Sequence, residues 1–228
     1  MRLSVTSTKI PNYLKMTNNY LQHRNYHRPE DPSRQMLFDQ RRKWIEGGDY
    51  VLDVGCGSGW LWEMSEKRDF ALHYKGVDLT ENFIEGCKID FPMIQKWNPV
   101  EPYTLNQCPK WEIMDAQDLK EKDNSYDIVV LYHILEHCPD WERAAEEAIR
   151  VARERVIINF WHGYGNADEK LVLEQKPMGE YDYLTERNSN WICKLEIEAF
   201  MEKHGFPKKP AKVVNYLNQR YVYFILNL

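Results

Sequence analysis

The 228-residue sequence contains no apolar run approaching the roughly 18 residues that a transmembrane helix needs. Its first 20 residues are mostly polar and lack the apolar centre that signal peptides have. We therefore expect a cytoplasmic protein that does not contact a membrane. Hydrophobic residues still make up 43% of the chain, which is enough for the core of one substantial domain. Intrinsic disorder is correspondingly disfavoured.

Cysteine pairs are also absent. The five cysteines are odd in number, widely separated and without a CxxC motif, which argues against a disulfide framework and against a cysteine zinc site. We expect no metal. Buried or incidental thiols are expected at Cys56, Cys87, Cys108, Cys138 and Cys193.

The chain has no overall excess of positive charge, because its net charge is −5. The charge is uneven, with +6 over residues 1–43 and −11 over the remainder. A basic segment can attract RNA or another anionic partner, but an acidic chain is a poor general binder of nucleic acid. We interpret the basic residues as the solvated face of a helix, and a nucleic-acid partner as disfavoured.

The N-terminal part differs from the rest of the chain. Residues 1–45 show no strand pattern and are interpreted as a helical or irregular cap segment, which precedes a single domain over residues 46–228. Ser33 is a candidate N-cap for a helix over Arg34–Glu46, and Gly47-Gly48 follow as its end.

Beyond this segment, short apolar runs alternate with helical patterns, which predicts a mostly parallel sheet with helices on both faces. The last two strands are joined too tightly for a crossover, so the final strand is expected to be antiparallel. The predicted strands are Tyr50–Val54, Tyr74–Val77, Trp111–Met114, Tyr126–Leu131, Arg155–Phe160, Val213–Tyr216 and Tyr221–Leu226. The predicted helices are Trp60–Lys67, Thr80–Lys88, Trp141–Arg153 and Cys193–His204.

Two connections are too long to be simple turns. Asp90–Lys110 carries four prolines, and Trp161–Trp191 carries three glycines and several aromatic residues. Long loops in compact domains are usually functional or mobile. Both segments leave the sheet where a substrate can bind.

A glycine-rich turn follows the first predicted strand. Gly55 permits a tight turn, and Gly57 and Gly59 allow a ligand to approach the backbone closely. In dinucleotide-binding enzymes the sixth residue of such a turn is Gly or Ala, whereas Trp60 stands here. Asp53, two residues before the turn, would repel a pyrophosphate but suits the ammonium group of a methionine moiety, directly or through water.

Two further carboxylates follow the next two strands. Asp78 ends the second strand, where it can accept hydrogen bonds from both hydroxyls of a ribose. Asp115 follows the third strand, where it can accept from an adenine amino group beside the backbone amide of Ala116. Because the carboxyl ends of parallel strands share one edge, these residues converge with Asp53 on one crevice.

Taken together, these motifs resemble the class I S-adenosylmethionine-dependent methyltransferases, and most closely the branch that includes quinone and sterol methyltransferases. The resemblance covers about residues 48–160 in motif detail. The residues that carry it are Val51–Gly59, Gly76–Asp78, Met114–Ala116, Tyr126–Val129 and His133–Asp140.

The resemblance implies a Rossmann-like, seven-stranded sheet with an antiparallel last strand, and S-adenosyl-L-methionine as cofactor, converted to S-adenosyl-L-homocysteine. It implies that Leu131, Tyr132 and His133 lie beneath the sulfonium, where the aromatic face of Tyr132 suits a cation. The implied cofactor-binding residues are Asp53, Gly55, Cys56, Gly57, Gly59, Asp78, Leu79, Asp115, Ala116, Leu131, Tyr132 and His133.

Methyl transfer is an in-line displacement, so positioning and charge complementarity are the main contributions of the protein. An acceptor hydroxyl or protonated amine needs a base. His133 is the first candidate and His162 the second. The alternative, that His133 only packs beside the cofactor, stays open.

The segment His133–His137 also spells H-x-x-E-H, a zinc-peptidase spacing that requires a helix with both histidines on one face. Here it follows an apolar strand and precedes Pro139, which leaves little room for a helix. We therefore predict no zinc site.

Aromatic and basic residues cluster before the first helix, from Tyr20 to Arg28. They could close over the cofactor and shape the acceptor pocket, or the tyrosines could simply pack a helix against the protein. The candidate acceptor-binding residues are Tyr26, Arg28 and Trp161.

The sequence thus favours a methyltransferase that acts on a small molecule. Leu131-Tyr132-His133 replaces the motifs of DNA amino-methylating and cytosine C5 enzymes. RNA ribose or cap methylation, protein methylation, and a regulatory protein that binds the cofactor without turnover remain alternatives.

Overall fold

The structure is a computed structural model. It describes residues 32–92, 109–161, 194–207, 210–216 and 219–228, together with Tyr20, Arg24 and Ile192.

Seven strands form one sheet in the described part of the chain, in the order β3-β2-β1-β4-β5-β7-β6. The strands β1 to β5 are parallel to one another, and β7 runs antiparallel to both β5 and β6. This confirms the predicted mostly parallel sheet with an antiparallel last strand. The strands are β1 Tyr50–Val54, β2 His73–Asp78, β3 Lys110–Ile113, β4 Tyr126–Tyr132, β5 Ala152–Trp161, β6 Lys212–Tyr216 and β7 Gln219–Asn227.

Helices cover both faces of the sheet. The described helices are α1 Pro32–Arg41, α2 Trp60–Lys67, α3 Glu81–Asp90, α4 Trp141–Val151 and α5 Lys194–Lys203. Apolar residues of α1, α2 and α3 share one core with the sheet, and those of α4 and α5 share the other. None of the helices in the described ranges is long and apolar enough to span a bilayer.

The central strands are apolar on both sides because each face is covered. In β4, Val129 and Leu131 point into the core beneath α4, while Ile128 and Val130 point into the core beneath α1 and α2. All four are almost completely buried. This is the pattern expected of a parallel strand between two helical layers.

The first helix differs from the prediction at both ends. It begins at Pro32, so Ser33 lies in its first turn rather than at the N-cap. It continues as a 3₁₀ turn over Arg42–Trp44 and stops at Ile45, before the two glycines. The side chain of Ile45 is buried and its backbone is extended, so core packing ends the helix there.

The indole ring of Trp111, on β3, packs against β2 and against the start of α2. The ring of Trp111 on β3 packs so closely on Gly76 of β2 that an added Cβ would lie 2.5 Å from Cζ3. The same ring covers Gly59, at the start of α2, where a Cβ would lie 2.8 Å from Cη2. Both glycines are therefore required by packing against Trp111.

We expect Gly76→Ala to lower the free energy of unfolding by about 1–3 kcal/mol, because the methyl group forces Trp111 out of a close-packed position. Urea denaturation measures this change. Gly47→Ala is the matched control, since the nearest atom to its added Cβ is a carbonyl oxygen at 3.9 Å. Equal stability of the two variants would contradict the packing described for Trp111.

Candidate active site

A glycine turn connects β1 to α2 at the carboxyl edge of the sheet. The backbone N–H groups of Gly55 and Cys56 donate to the carbonyl of Val77, at 2.8 and 3.0 Å, and tie the turn to β2. Gly55, Gly57 and Gly59 have φ values of +74°, +55° and +75°, in the left-handed region that side chains disfavour. The predicted tight turn is confirmed.

Packing within the protein, rather than close approach of a ligand, explains the missing side chains at two of these glycines. A Cβ on Gly55 would lie 2.7 Å from the side chain of Ile134, and one on Gly59 would collide with Trp111. The space beside these two glycines is therefore filled by the protein's own side chains rather than left for a ligand. Their role in cofactor binding stays a prediction that rests on their backbone groups.

Three cysteine side chains lie in the described part of the chain, and none of them is exposed to solvent. Cys56, Cys87 and Cys138 are free and buried, as predicted for these three. Burial raises the pKa of the Cys56 thiol well above its ordinary value and that of Cys138 to about 12. Cys108 and Cys193 lie outside the described residues.

Asp78, at the tip of β2, braces the glycine turn. Its Oδ2 accepts from the N–H of Gly57 at 3.0 Å, and its Oδ1 accepts from the N–H of Thr80 at 2.9 Å. Burial raises its pKa, although these hydrogen bonds favour the charged form. A carboxylate has about four acceptor positions, and the two N–H groups together with the Thr80 hydroxyl occupy three of them.

The ends of β2 and β3 lie next to each other, and both apolar and polar residues follow them. The N–H after β3, that of Met114, donates to the carbonyl of Asp78 at 3.1 Å, so the two tips are adjacent. Leu79 is 40% exposed, and Ala116 is buried. Asp115 accepts from the backbone and side-chain amides of Gln117 through Oδ1, at 2.9 and 3.2 Å.

Asp53, on β1, is almost fully buried and accepts a hydrogen bond of 2.6 Å from the hydroxyl of Tyr74. Burial raises its pKa to about 6, and the nearby charge of Asp78 acts in the same direction. The hydrogen bond from Tyr74 and the positive charge of Arg41 oppose this rise. Both the neutral and the charged form of Asp53 are therefore populated near pH 6.

Arg41, the last residue of α1, was not predicted as a site residue. Only 3% of it is exposed, and its guanidinium lies 4.0 Å from the ring centroid of Tyr132 and 4.9 Å from that of Trp60. Its Nε donates to the hydroxyl of Tyr223 at 3.4 Å. Its Nη2, like Nε1 of Trp60, is buried without a hydrogen-bond partner in the described structure.

The helical period could have revealed this residue. Leu37 and Phe38 are buried, and Arg41 follows them by four and three residues, which places it on the same face of the helix. A charged residue on the buried face of a helix requires a partner or a function. We had assigned all basic residues of this segment to the solvated face, which is wrong for Arg41.

The end of β4 carries the residues expected near the sulfonium. Leu131 is fully buried in the core beneath α4, whereas Tyr132 faces α1 and is covered by Arg41. His133 has a φ of +59°, and its N–H donates to the carbonyl of Asn159 at 3.4 Å. A positive φ on a residue other than glycine marks a sharp turn where β4 leaves the sheet.

The H-x-x-E-H segment is not an α-helix. Leu135–His137 form a single 3₁₀ turn, as the short distance to Pro139 predicted. Within the described ranges, no group of three or more His, Cys, Asp or Glu side chains is placed to hold a metal ion.

The acceptor-binding candidates cannot be placed. Tyr26 and Arg28 lie outside the described residues, and so does His162, the second candidate base, while Trp161 is described only as the last residue of β5. Tyr20 packs on Gly86 of α3 and donates to Asp90 at 2.8 Å, in agreement with the packing interpretation of this segment.

Comparisons with known proteins agree with this geometry. A family model described as a methyltransferase domain matches residues 52–159. Ubiquinone biosynthesis O-methyltransferase of Coxiella burnetii is 33% identical over 178 residues, which cover 72% of this chain and 68% of that protein. The enzyme of the same name from Neisseria meningitidis is 33% identical over 185 residues, covering 76% and 71%.

Solved structures show the same fold. Magnesium protoporphyrin IX methyltransferase from Synechocystis PCC 6803, with bound S-adenosylmethionine, has a TM-score of 0.60 at 15% identity and covers 96% of this chain and 99% of that one. A methyltransferase in complex with the Haloferax volcanii Trm112 activator has a TM-score of 0.64 at 13% identity, covering 95% and 98%.

The fold, the glycine turn and these relatives define the class as the Rossmann-like methyltransferases. The chain belongs to the class I S-adenosylmethionine-dependent methyltransferase family. It is an enzyme that transfers a methyl group from S-adenosylmethionine to an acceptor.

We expect Tyr74→Phe to raise the pKa of Asp53 above about 6, because the hydroxyl hydrogen bond stabilises the ionised carboxylate. Carbon NMR of aspartate-labelled protein, titrated with pH, measures this pKa. Asp53→Asn identifies the resonance. A pKa that stays the same or falls would show that Tyr74 does not stabilise the carboxylate.

Proposed function

We propose that this methyltransferase acts on a small molecule and that it binds the amino-acid end of the cofactor between Arg41 and Asp53. The observation that carries the proposal is a buried positive charge beside a buried carboxylate at the glycine turn. Such a pair complements a zwitterion, and the methionine moiety of S-adenosylmethionine is one.

The residues present fit this cofactor. Nη2 of Arg41 and Nε1 of Trp60 are buried donors without partners in the described structure, and a carboxylate accepts from both. Asp53 is the matching acceptor for the ammonium group, directly or through water. A cofactor carboxylate would also remove the cost of leaving these two donors unpaired.

The remaining cofactor groups follow the strand tips. Asp78 accepts from the ribose through the acceptor position that Gly57 and Thr80 leave available. Leu79 offers an exposed apolar side chain to the adenine, and Asp115 and Ala116 flank it.

When bound, the cofactor supplies a methyl group on a sulfonium, and the protein positions the acceptor in line with it. The tip of β4 separates the cofactor side of the crevice, over β1 and β2, from the side over β5. His133 at this tip is the first candidate to accept a proton from the acceptor, and His162 the second.

A small-molecule acceptor is supported by the relatives, which are named for ubiquinone biosynthesis. The direct test incubates the protein with methyl-labelled S-adenosylmethionine and cell extract, and then follows the label into small molecules, RNA and protein separately. We expect label in the small-molecule fraction. Label confined to RNA or protein would refute the acceptor class, and cofactor binding without any transfer would refute turnover.

We expect Arg41→Lys to weaken S-adenosylhomocysteine binding about 10- to 100-fold, because a lysine cannot reproduce the planar donor set of arginine. Isothermal calorimetry measures the affinity. The matched control is 5′-methylthioadenosine, which lacks the amino-acid end and should bind both proteins equally. An equal loss for both ligands would show that Arg41 supports the fold of the pocket rather than the carboxylate.

We expect cofactor affinity to fall as the pH is lowered through about 6, the pKa of Asp53 in the free protein. The sign follows because the cofactor ammonium favours the ionised carboxylate, which is lost by protonation below that pH. Calorimetry across this range measures the profile. Asp53→Asn should bind weakly without this pH dependence, and a wild-type profile in that variant would contradict the assignment.

A further inference from the structure

We propose that the hydroxyl of Tyr132 and Oδ1 of Asn159 form a polar subsite that recognises a hydroxyl group on the acceptor. The inference rests on the proposed small-molecule methyl transfer and adds a chemical class for its acceptor.

The two residues are neighbours across the sheet. Tyr132 on β4 is the register partner of Asn159 on β5. Adjacent strands lie about 4.8 Å apart, and partner residues in parallel strands point to the same face. That face is the one beneath α1, and both residues stand close to the carboxyl edge where β4 ends.

The amide of Asn159 is fixed in one orientation. Its Nδ2 donates to the carbonyl oxygens of Val222 and Phe160, at 3.2 and 3.4 Å. Carbonyl oxygens accept and cannot donate, so the amide nitrogen must face them. Oδ1 is left buried without a partner in the part of the chain described, in a residue with 0% exposure.

Tyr132 presents its hydroxyl in a similar way. Arg41 covers one face of its ring at 4.0 Å, and the ring of Tyr223 meets it edge to face, with centroids 6.4 Å apart. These contacts hold the ring, but the hydroxyl itself is buried with no hydrogen-bond partner in the described ranges. Burial raises the pKa of this hydroxyl well above its ordinary value, so it remains a neutral donor.

Buried polar atoms are normally hydrogen-bonded, so two exceptions at one strand tip require an explanation. The pair offers one acceptor, Oδ1 of Asn159, and one hydroxyl donor, on Tyr132. A hydroxyl group complements both, because it donates to the amide oxygen while its own oxygen accepts from the tyrosine. Neither atom is charged, so the subsite favours a neutral hydroxyl.

Asn159 lies on the acceptor side of the crevice, and Tyr132 lies at its boundary with the cofactor side, since its ring contacts Arg41. The strand order reverses at β1, which pairs with β2 on one side and β4 on the other. The glycine turn and Asp78 lie on the β1 and β2 side, whereas Asn159 lies two strands away from β1, on β5. Ligands of such sheets occupy the crevice at this reversal, with their ends on opposite sides.

The experiment compares Tyr132→Phe with Tyr126→Phe, two identical changes at opposite ends of β4. The hydroxyl of Tyr126 is hydrogen-bonded to Glu121 at 3.0 Å, far from the carboxyl edge. Three quantities are measured for each variant: the urea midpoint, the affinity for S-adenosylhomocysteine, and the rate of label transfer from methyl-labelled S-adenosylmethionine into the small-molecule fraction of cell extract.

We expect Tyr132→Phe to keep the wild-type urea midpoint, and to keep the cofactor affinity because the aromatic ring that contacts Arg41 is retained. The transfer rate should fall about 3- to 10-fold, the scale of one neutral hydrogen bond. Tyr126→Phe should show the reverse, with a slightly lower midpoint and an unchanged rate. Mass spectrometry of the labelled product should find a hydroxyl or methoxy oxygen.

Wild-type transfer by Tyr132→Phe, weakened cofactor binding in that variant, or a product without such an oxygen would each overturn the subsite. If the wild-type protein itself transfers no label to small molecules, the proposed function fails first. The two failures are therefore distinguishable.

Discussion

The site depends on two opposite charges that are buried beneath the first helix. Arg41 and Asp53 are both almost completely removed from solvent, and the positive charge of Arg41 favours the ionised form of Asp53. Burial of charge is costly unless it is paired, and here the pairing is incomplete, because Nη2 of Arg41 has no partner in the described structure. In the proposed site, a zwitterionic ligand supplies the missing partners, so the free-energy cost of burying the two charges would contribute to the affinity for the cofactor.

The sheet supplies the other half of the site. Parallel strands bring Asp53, Asp78 and Asp115 to one edge, although they are far apart in the sequence. Asp78, at the end of β2, accepts a hydrogen bond from the N–H of Gly57, so the candidate residue for the ribose is linked directly to the glycine turn. Helix α1 closes the side beneath which Tyr132 lies, and so links the N-terminal segment to the chemistry.

Much of this could be predicted from the sequence because periodic burial and strand-tip motifs are local signals. The strands, the glycine turn and the family follow from them, and Pro139 indicated that Leu135–His137 does not form an α-helix. The burial of Arg41 follows from the helical period, but its partners are distant in the chain and could not be predicted. The same reason explains Gly59, whose missing side chain is required by Trp111 on another strand. Contacts between residues that are distant in the sequence can be identified only in the folded structure, because residue types alone do not specify which side chains meet.

The most direct test of the account is a crystal structure of the protein with S-adenosylhomocysteine. The account predicts the ligand carboxylate within hydrogen-bond distance of Nη2 of Arg41, and the ribose hydroxyls on Asp78. An amino-acid end that lies away from the pair formed by Arg41 and Asp53 would contradict it.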